Sequence, residues 1–365
     1  MSKITIISSS KNWLEEQAVA QLKQISTLPG VIRAIGLPDL HPGKTPVGST
    51  VITEQLIYPH LIGNDLGCGM SYFLTDLSKA KLKLERLVKT LEPLGSLKEI
   101  PLPEVASFNS SPLGNSLGTI GAGNHFAELQ TVAKIFDEAT FNKLGFIKNQ
   151  IMLLIHSGSR GYGEAILDEA IKLHQAQNGL DPTSRAGQAY LAEHYAALQW
   201  ASTNRALIAY RILKTLGISL EAPRLIDCPH NYLSQKKDND QTLYFHRKGS
   251  APADQGAVII PGSRGTLTYL VMPKDNLETS GYSLAHGAGR KWERSMCKAR
   301  LENRYTRETI RLTKLQSKVV CHDSRLLFEE APEAYKNIDT VIQSLLDFEL
   351  IEIIATFKPI LTYKN

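Results

Sequence analysis

Cysteine is scarce in this chain. Cys68, Cys228, Cys297 and Cys321 are the only four among 365 residues, and no two form a Cys-x-x-Cys pair. That argues against a disulfide framework and against a structural zinc knuckle. Long apolar runs are missing too, and none reaches the length that spans a bilayer. The opening residues, MSKITIISSSKNWLEEQ, hold no apolar stretch of the secretory kind, so a cytoplasmic protein with no membrane partner is expected. No internal repeat and no clean linker divides the sequence. Two nucleotide-handling signatures are also absent. Pro42-Gly43-Lys44-Thr45 looks like the end of a phosphate-binding loop, but Gly36 lies too far upstream and Pro38 stands where the first glycine is needed. No Lys-x-Asp-Gly occurs, which removes the lysine nucleophile of one class of nucleotidyl-transferring ligases.

What is present is globular in bulk. Hydrophobic residues make up 42% and charged residues 21%, which allows a substantial core. The length permits one large domain or two ordinary ones. The net charge of +5 is too mild to imply nucleic-acid binding by itself. Its basic residues concentrate between Arg290 and Arg311. That stretch fits either a solvated helix face or a groove for a polyanion.

Apolar periodicity predicts helices over 12–28, 78–93, 164–177 and 183–215, and a basic helix after Arg290. Residues 101–116, rich in Pro, Ser, Asn and Gly, read as a loop, and the run IMLLI (151–155) reads as a buried strand. The closing segment reads as helix, then strand. The pattern as a whole is one mixed α/β domain over residues 1–365. His174 and His194 fall inside helices and are expected to be structural.

The chemistry gathers on loops. Ile62-Gly-Asn-Asp65-Leu-Gly-Cys68-Gly-Met70 sets a carboxylate and a thiol three residues apart in a glycine-rich turn. On local grounds Cys68 is either a ligand or a small buried hydrophobe. Asp39 and His41 share another turn, as an acid/base pair or a surface cap. His125, His156 and His230 stand at or near strand ends, and His286 sits in the glycine-rich GYSLAHGAGR. One thiolate, one carboxylate and three imidazoles can hold two divalent metals if the thiolate bridges, and mixed N/O/S ligands suit Mn, Fe, Co or Zn. Two close metals are a device for phosphoryl transfer, and glycine-rich loops offer N–H groups to phosphates. His286 has the chemistry of a nucleophile near neutral pH.

The motifs PDLHPG (38–43), DLGCGM (65–70), LGTIGAGNHFAEL (117–129), HSGSRG (156–161), HN (230–231), HRKG (246–249), IPGSRGT (260–266) and HGAGR (286–290), with EAPEAYKNID and a terminal Tyr-Lys, occur in this order. In them the chain resembles the RtcB family of RNA ligases. The resemblance implies an α+β fold, with β-sheets and surrounding helices around a central dinuclear metal and nucleotide cleft. It implies an enzyme, dependent on GTP and two Mn2+ ions, that joins 2′,3′-cyclic phosphate or 3′-phosphate RNA ends to 5′-hydroxyl ends, in RNA repair or tRNA splicing. Asp65, Cys68 and His125 would bind one manganese, and Cys68, His156 and His230 the other. His286 would carry GMP. Asn124, Phe126, Glu128, Asn231, Pro261, Gly262, Ser263, Arg264, Thr268, Ala288, Gly289, Tyr335 and Lys364 match guanylate-binding positions. Arg160, Arg290 and Arg294 match positions near RNA phosphates. An archease-like activator and tRNA or damaged ribosomal RNA are implied partners.

The chain departs from the pattern at Arg264, where many members carry Met, at Thr268, where Ser is common, and at Asn365, where the family usually ends in Gly. It is also on the short side. These departures resemble a bacterial paralogue of the kind associated with release factor H. Two rival functions remain: a dinuclear-metal cyclic phosphodiesterase that does not ligate, and a non-catalytic RNA-binding module.

Overall fold

The run IMLLI forms the middle of β6 (Gln150–Ser157), buried along almost its whole length. An uninterrupted apolar stretch fits a central strand covered on both faces. In the computed structural model, which describes residues 3–103, 116–239 and 241–364, β6 lies between antiparallel neighbours β4 (Gly69–Ser78) and β5 (Phe126–Ile135). β4 pairs on its other edge with β7 (Arg224–Pro229), and β5 with the C-terminal β15 (Ile351–Lys364). β15 also meets β12 (Thr268–Pro273) and, in parallel, β14 (Lys318–Cys321), while β11 (Val258–Pro261) completes an eight-stranded sheet.

A second sheet has five strands, in the order β1 (Ile4–Ile6), β2 (Val31–His41), β3 (Val47–Glu54), β9 (Gln241–Lys248), β8 (Asn231–Asp238). Two short strands, β10 (Ser250–Pro252) and β13 (Ser283–Ala285), form a ribbon. The turn holding Gly43-Lys44-Thr45 joins β2 to β3 as antiparallel neighbours. It leads into no helix, which agrees with rejecting a phosphate-binding loop.

Helices surround the sheets. They are α1 (Glu16–Ile25), α2 (Pro59–Ile62), α3 (Leu84–Leu91), α4 (Glu138–Lys143), α5 (Gly161–His174), α6 (Arg185–Leu216), α7 (Arg294–Leu301), α8 (Ser324–Glu329) and α9 (Ile338–Asp347). α6 starts at Ser184, whose side chain accepts from Gly187 N, and stops at Gly217 in the left-handed region. One core cluster joins Ile35 and Ile52 of the smaller sheet to Ile260 and Val271 of the larger one, with Val341 and Leu345 of α9. A second packs Ile208 and Ile212 of α6 and Leu87 and Leu91 of α3 against Leu129, Leu153 and Leu361. No helix among the described residues is long and apolar enough to cross a membrane.

The mixed α/β class expected from the sequence is the one observed. The basic helix is shorter than its charge pattern suggests, because α7 ends at Leu301. Downstream, Thr306 N donates to Thr309 Oγ1 at 2.8 Å, and such side-chain bonds compete with helix. The loop expected over 101–116 lies for the most part outside the described residues. Of the helix histidines, His194 is buried and its Nε2 accepts from Leu233 N at 2.9 Å, while His174 is exposed in the last turn of α5.

Candidate active site

Five side chains from four separate stretches converge at one end of the larger sheet. Asp65 and Cys68 occupy the turn before β4, His125 immediately precedes β5, His156 is near the end of β6, and His230 links β7 to β8. Antiparallel pairing explains the meeting, since Phe126 faces His156 and Met70 also faces His156 in register. So His125 stands at a strand's entry rather than its exit, yet on the same rim. The turn is fixed by backbone bonds: Gly67 N donates to Asn231 O (2.8 Å), Ser159 N to Leu66 O (3.1 Å), and His230 N to Cys68 O (2.7 Å). From below, Arg205 of α6 donates to Gly67 O (2.6 Å) and Ser157 O (3.0 Å), and pairs with Asp227 at 2.8 Å. Gly158 is needed for close approach, because a Cβ there would lie 2.3 Å from Asp65 Oδ1.

Cys68 Sγ lies 3.2 Å from both His125 Nε2 and His156 Nε2, and His156 Nε2 lies 3.3 Å from His230 Nε2. Asp65 Oδ2 is 2.9 Å from His125 Nε2. His156 Nδ1 donates to Asn124 O at 3.1 Å, so its Nε2 carries a lone pair and no proton. That lone pair faces a sulfur and another ring nitrogen. Burial holds His156 and His230 well below the usual imidazole pKa, with neighbouring histidines adding to the effect. Burial also pushes the Cys68 thiol up, as does the Asp65 carboxylate. Burial alone would raise Asp65 as well, but His125 outweighs it and holds the carboxyl below its ordinary value. Asp65 Oδ1 and His125 Nδ1 are buried with no hydrogen-bond partner. Unprotonated donors aimed at one another are the pattern that a cation satisfies, and a cation would also turn the thiol into a thiolate. The donor set therefore fits soft-to-borderline divalent metal ions.

His286 stands beside this cluster, its ring 4.7 Å from that of His230 between centroids. It follows β13 in a segment held by Asp39, whose Oδ2 accepts from His286 Nδ1 at 2.6 Å and from His286 N at 3.1 Å. Asp39 is fully buried, and its other oxygen has no partner. A carboxylate on Nδ1–H fixes the tautomer and leaves Nε2 as the free, nucleophilic nitrogen. Of the two readings the sequence left open for Asp39 and His41, neither an acid/base pair of side chains nor a surface cap is formed: Asp39 is buried and holds His286, and His41 Nδ1 bonds the Asp39 carbonyl at 2.9 Å.

A cleft of about 370 Å³ opens over both features. Asp65, Cys68, His156, His230 and His286 line it, with Asn124, Phe126, Glu128, Asn231, Pro261, Gly262, Ser263, Arg264, Ala288, Gly289, Arg290, Arg294, Tyr335 and Lys364. His125 is brought to the cluster but is not part of the wall. Thr268 is not in the wall either. It sits on β12, where its hydroxyl accepts from Gln130 Nε2 at 2.8 Å, and Gln130 donates in turn to Glu128 at 2.7 Å. Arg160 also lies off the wall, at φ +59° before α5, with Nε 3.4 Å from Thr119 Oγ1.

Several wall residues are held by protein groups. Asn231 donates to Asp65 O (3.2 Å) and accepts from Gly249 N (2.7 Å). Lys364 donates to His125 O at 2.8 Å, and burial pulls its pKa down to about 8. Burial raises Glu128 to about 7, although Thr362 and Gln130 donate to it. Arg264 donates to Leu327 O at 2.9 Å and Ile310 O at 3.2 Å, with Nε and Nη1 unpartnered. Arg290 is committed to Glu330 (3.1 Å), Glu329 O (2.8 Å) and Trp292 O (3.2 Å), whereas Arg294 shares Glu330 at 3.2 Å and is largely exposed. Glu330 opens the EAPEAYKNID motif, but no role was assigned to it from the sequence. Yet it binds both arginines and accepts from Tyr335 OH.

Fold and site together define the class: a mixed α/β protein whose donor set suits metal ions beside an imidazole with a free Nε2. The family model described as tRNA-splicing ligase RtcB matches residues 21–102 and 91–365, and the chain belongs to the RtcB family. It is 42% identical over 363 residues to a protein named RNA-splicing ligase RtcB2 from an Escherichia coli strain, covering 98% of this chain and 95% of that one. It is 28% identical to the tRNA-splicing ligase RtcB of Nanoarchaeum equitans, covering 96% of this chain and 92% of that one. The RNA-splicing ligase RtcB of Escherichia coli K12 is also 28% identical, covering 96% and 95%.

Proposed function

We propose that this chain is a single catalytic unit over residues 1–365 that ligates RNA. It joins 2′,3′-cyclic phosphate or 3′-phosphate ends to 5′-hydroxyl ends, with GTP as activator and two manganese ions as cofactors. The observation that carries the reading is His286, with Nδ1 held by buried Asp39 and Nε2 left free in a cleft beside the Cys68 cluster. Asp65, Cys68 and His125 would hold one ion, and Cys68, His156 and His230 the other. Bound there, the ions would polarise phosphate oxygens and offset their charge.

The chain's own residues perform the rest. His286 Nε2 attacks the α-phosphorus of GTP, an N–P bond forms, and pyrophosphate leaves. Asp39 keeps the ring oriented and stabilises the positive charge that develops on it. Water opens a cyclic phosphate to a 3′-phosphate. An oxygen of that phosphate takes the GMP group, the N–P bond breaks, and His286 is restored. The 5′-hydroxyl then attacks the activated phosphate, a phosphodiester forms, and GMP leaves. Glu128 offers acceptors to the guanine edge, and Arg294 and Arg160 offset phosphate charge.

The 42% identity to a protein named RNA-splicing ligase RtcB2, against 28% to the K12 RtcB, supports a paralogue of the RtcB2 kind. The defining experiment supplies two RNA fragments, one ending in 2′,3′-cyclic phosphate and one beginning with 5′-hydroxyl, with GTP and manganese. A joined product retaining the junction phosphate is expected. Accumulation of open 2′- or 3′-phosphate ends with no joined product would favour the phosphodiesterase instead.

A further inference from the structure

We propose that the groove beside the catalytic cleft is a track for single-stranded RNA leading to a reacting end, with Trp13 as the stacking platform for a base. The inference rests on the RNA-ligase reading and names where the substrate strand runs. The groove encloses about 730 Å³ and is continuous with the cleft, because His41, Pro42, Arg290 and Arg294 line both. A strand whose end lies by His286 has this channel directly open to it.

Trp13 is 63% exposed, so its indole contributes little to the core. Its loop is nevertheless fixed. The neighbouring Asn12 is buried and donates to Pro38 O at 2.8 Å and Ser8 Oγ at 3.2 Å, while Ser9 N donates to Ser344 Oγ at 3.1 Å. A rigidly mounted aromatic in water is preorganised to receive a flat partner. Across the groove, Lys291 and Arg300 lie 5.0 and 4.9 Å from the ring of Trp292, and neither joins an ion pair among the described residues. Four basic residues line the groove against Glu15 and Glu293 of its wall and Glu330, which Arg290 and Arg294 share, so that one positive charge is left over. Positive surplus with an exposed aromatic is the chemistry that tracks a phosphate backbone and stacks its bases, without sequence preference.

The test measures binding by fluorescence anisotropy with two single-stranded RNA probes that cannot be joined. One carries a 5′-hydroxyl and a blocked 3′ end, the other a 3′-phosphate and a blocked 5′ end. Trp13→Ala is expected to raise Kd by about 5- to 150-fold for the probe whose strand runs through the groove. Trp13→Tyr should restore most of the affinity, and Arg300→Ala should reduce the steepness of the salt dependence. The melting temperature of Trp13→Ala should match that of the parent, because the side chain is exposed. Unchanged Kd for both probes in Trp13→Ala, with the parent binding them, would overturn the groove while leaving the ligase reading standing, and would point to a protein partner for this surface. A parent that binds neither probe would overturn both.

Discussion

Asp39 shows what one residue does to a nucleophile. Its carboxylate accepts a hydrogen bond from His286 Nδ1–H, keeps the proton on that nitrogen and so decides which nitrogen is free. Asn at this position can donate to Nδ1 and drive the proton onto Nε2, where it blocks attack. Asp39→Asn is therefore expected to slow the formation of the His286–GMP adduct by about 10²- to 10⁴-fold with little change in melting temperature, measured by single-turnover labelling. A rate equal to the parent's would show that the carboxylate does not set the tautomer. The sequence displayed Asp39 and His286 in separate motifs but could not display their contact, because 247 residues separate them. Proximity along the chain offered His41 as a partner, as one option beside a surface cap. The five cluster residues were legible because each is a chemically distinctive type beside glycines or a strand end. Glu330 was visible only as the first residue of EAPEAYKNID, and its contacts with Arg290, Arg294 and Tyr335 were not legible, since nothing local separates a buried, paired acid from a surface one.

At the scale of elements, the site depends on loops tied to one another. The segment after β13 carries His286 and Arg290, and the segment after α8 carries Glu330 and Tyr335. Arg290 and Tyr335 form a β-bridge, and Glu330 binds Arg290, Arg294 and Tyr335 across it. Burial would raise the Glu330 carboxyl, but Lys364, Arg290 and Arg294 outweigh it and hold the pKa at about 2, against an ordinary 4.5. The folded state thus binds this proton less readily than the unfolded one. The stabilisation is complete above pH 4.5 and is lost as pH falls toward 2. Urea midpoints at pH 5.5 and pH 3 should fall more for the parent than for Glu330→Gln, which has no carboxylate to protonate. Equal losses would mean that other acids set the acid lability. Among the elements, α6 and β6 were legible from periodicity and from an apolar run. The shortness of α7 was not, because charge along 290–311 does not fix where a helix ends.

At the scale of the whole molecule, two sheets and their helices pack through several hydrophobic clusters and bring four distant stretches to one rim. The mixed α/β class followed from alternating helix and strand patterns. Sheet order did not, because β15, at the chain's end, lies beside β5, β12 and β14, which the linear sequence scatters. Its last residues deliver Thr362 and Lys364 to the cleft. On the proposed function, this rim makes His286 the acceptor of GMP, and Cys68 would serve both metal ions. The most direct test incubates the protein with α-labelled GTP and manganese and maps the label. Acid-labile, alkali-stable label is expected on His286 alone, absent in His286→Ala and reduced more by Cys68→Ala than by alanine at His125, His156 or His230. No label on the parent, label persisting in His286→Ala, or normal labelling of Cys68→Ala would contradict it.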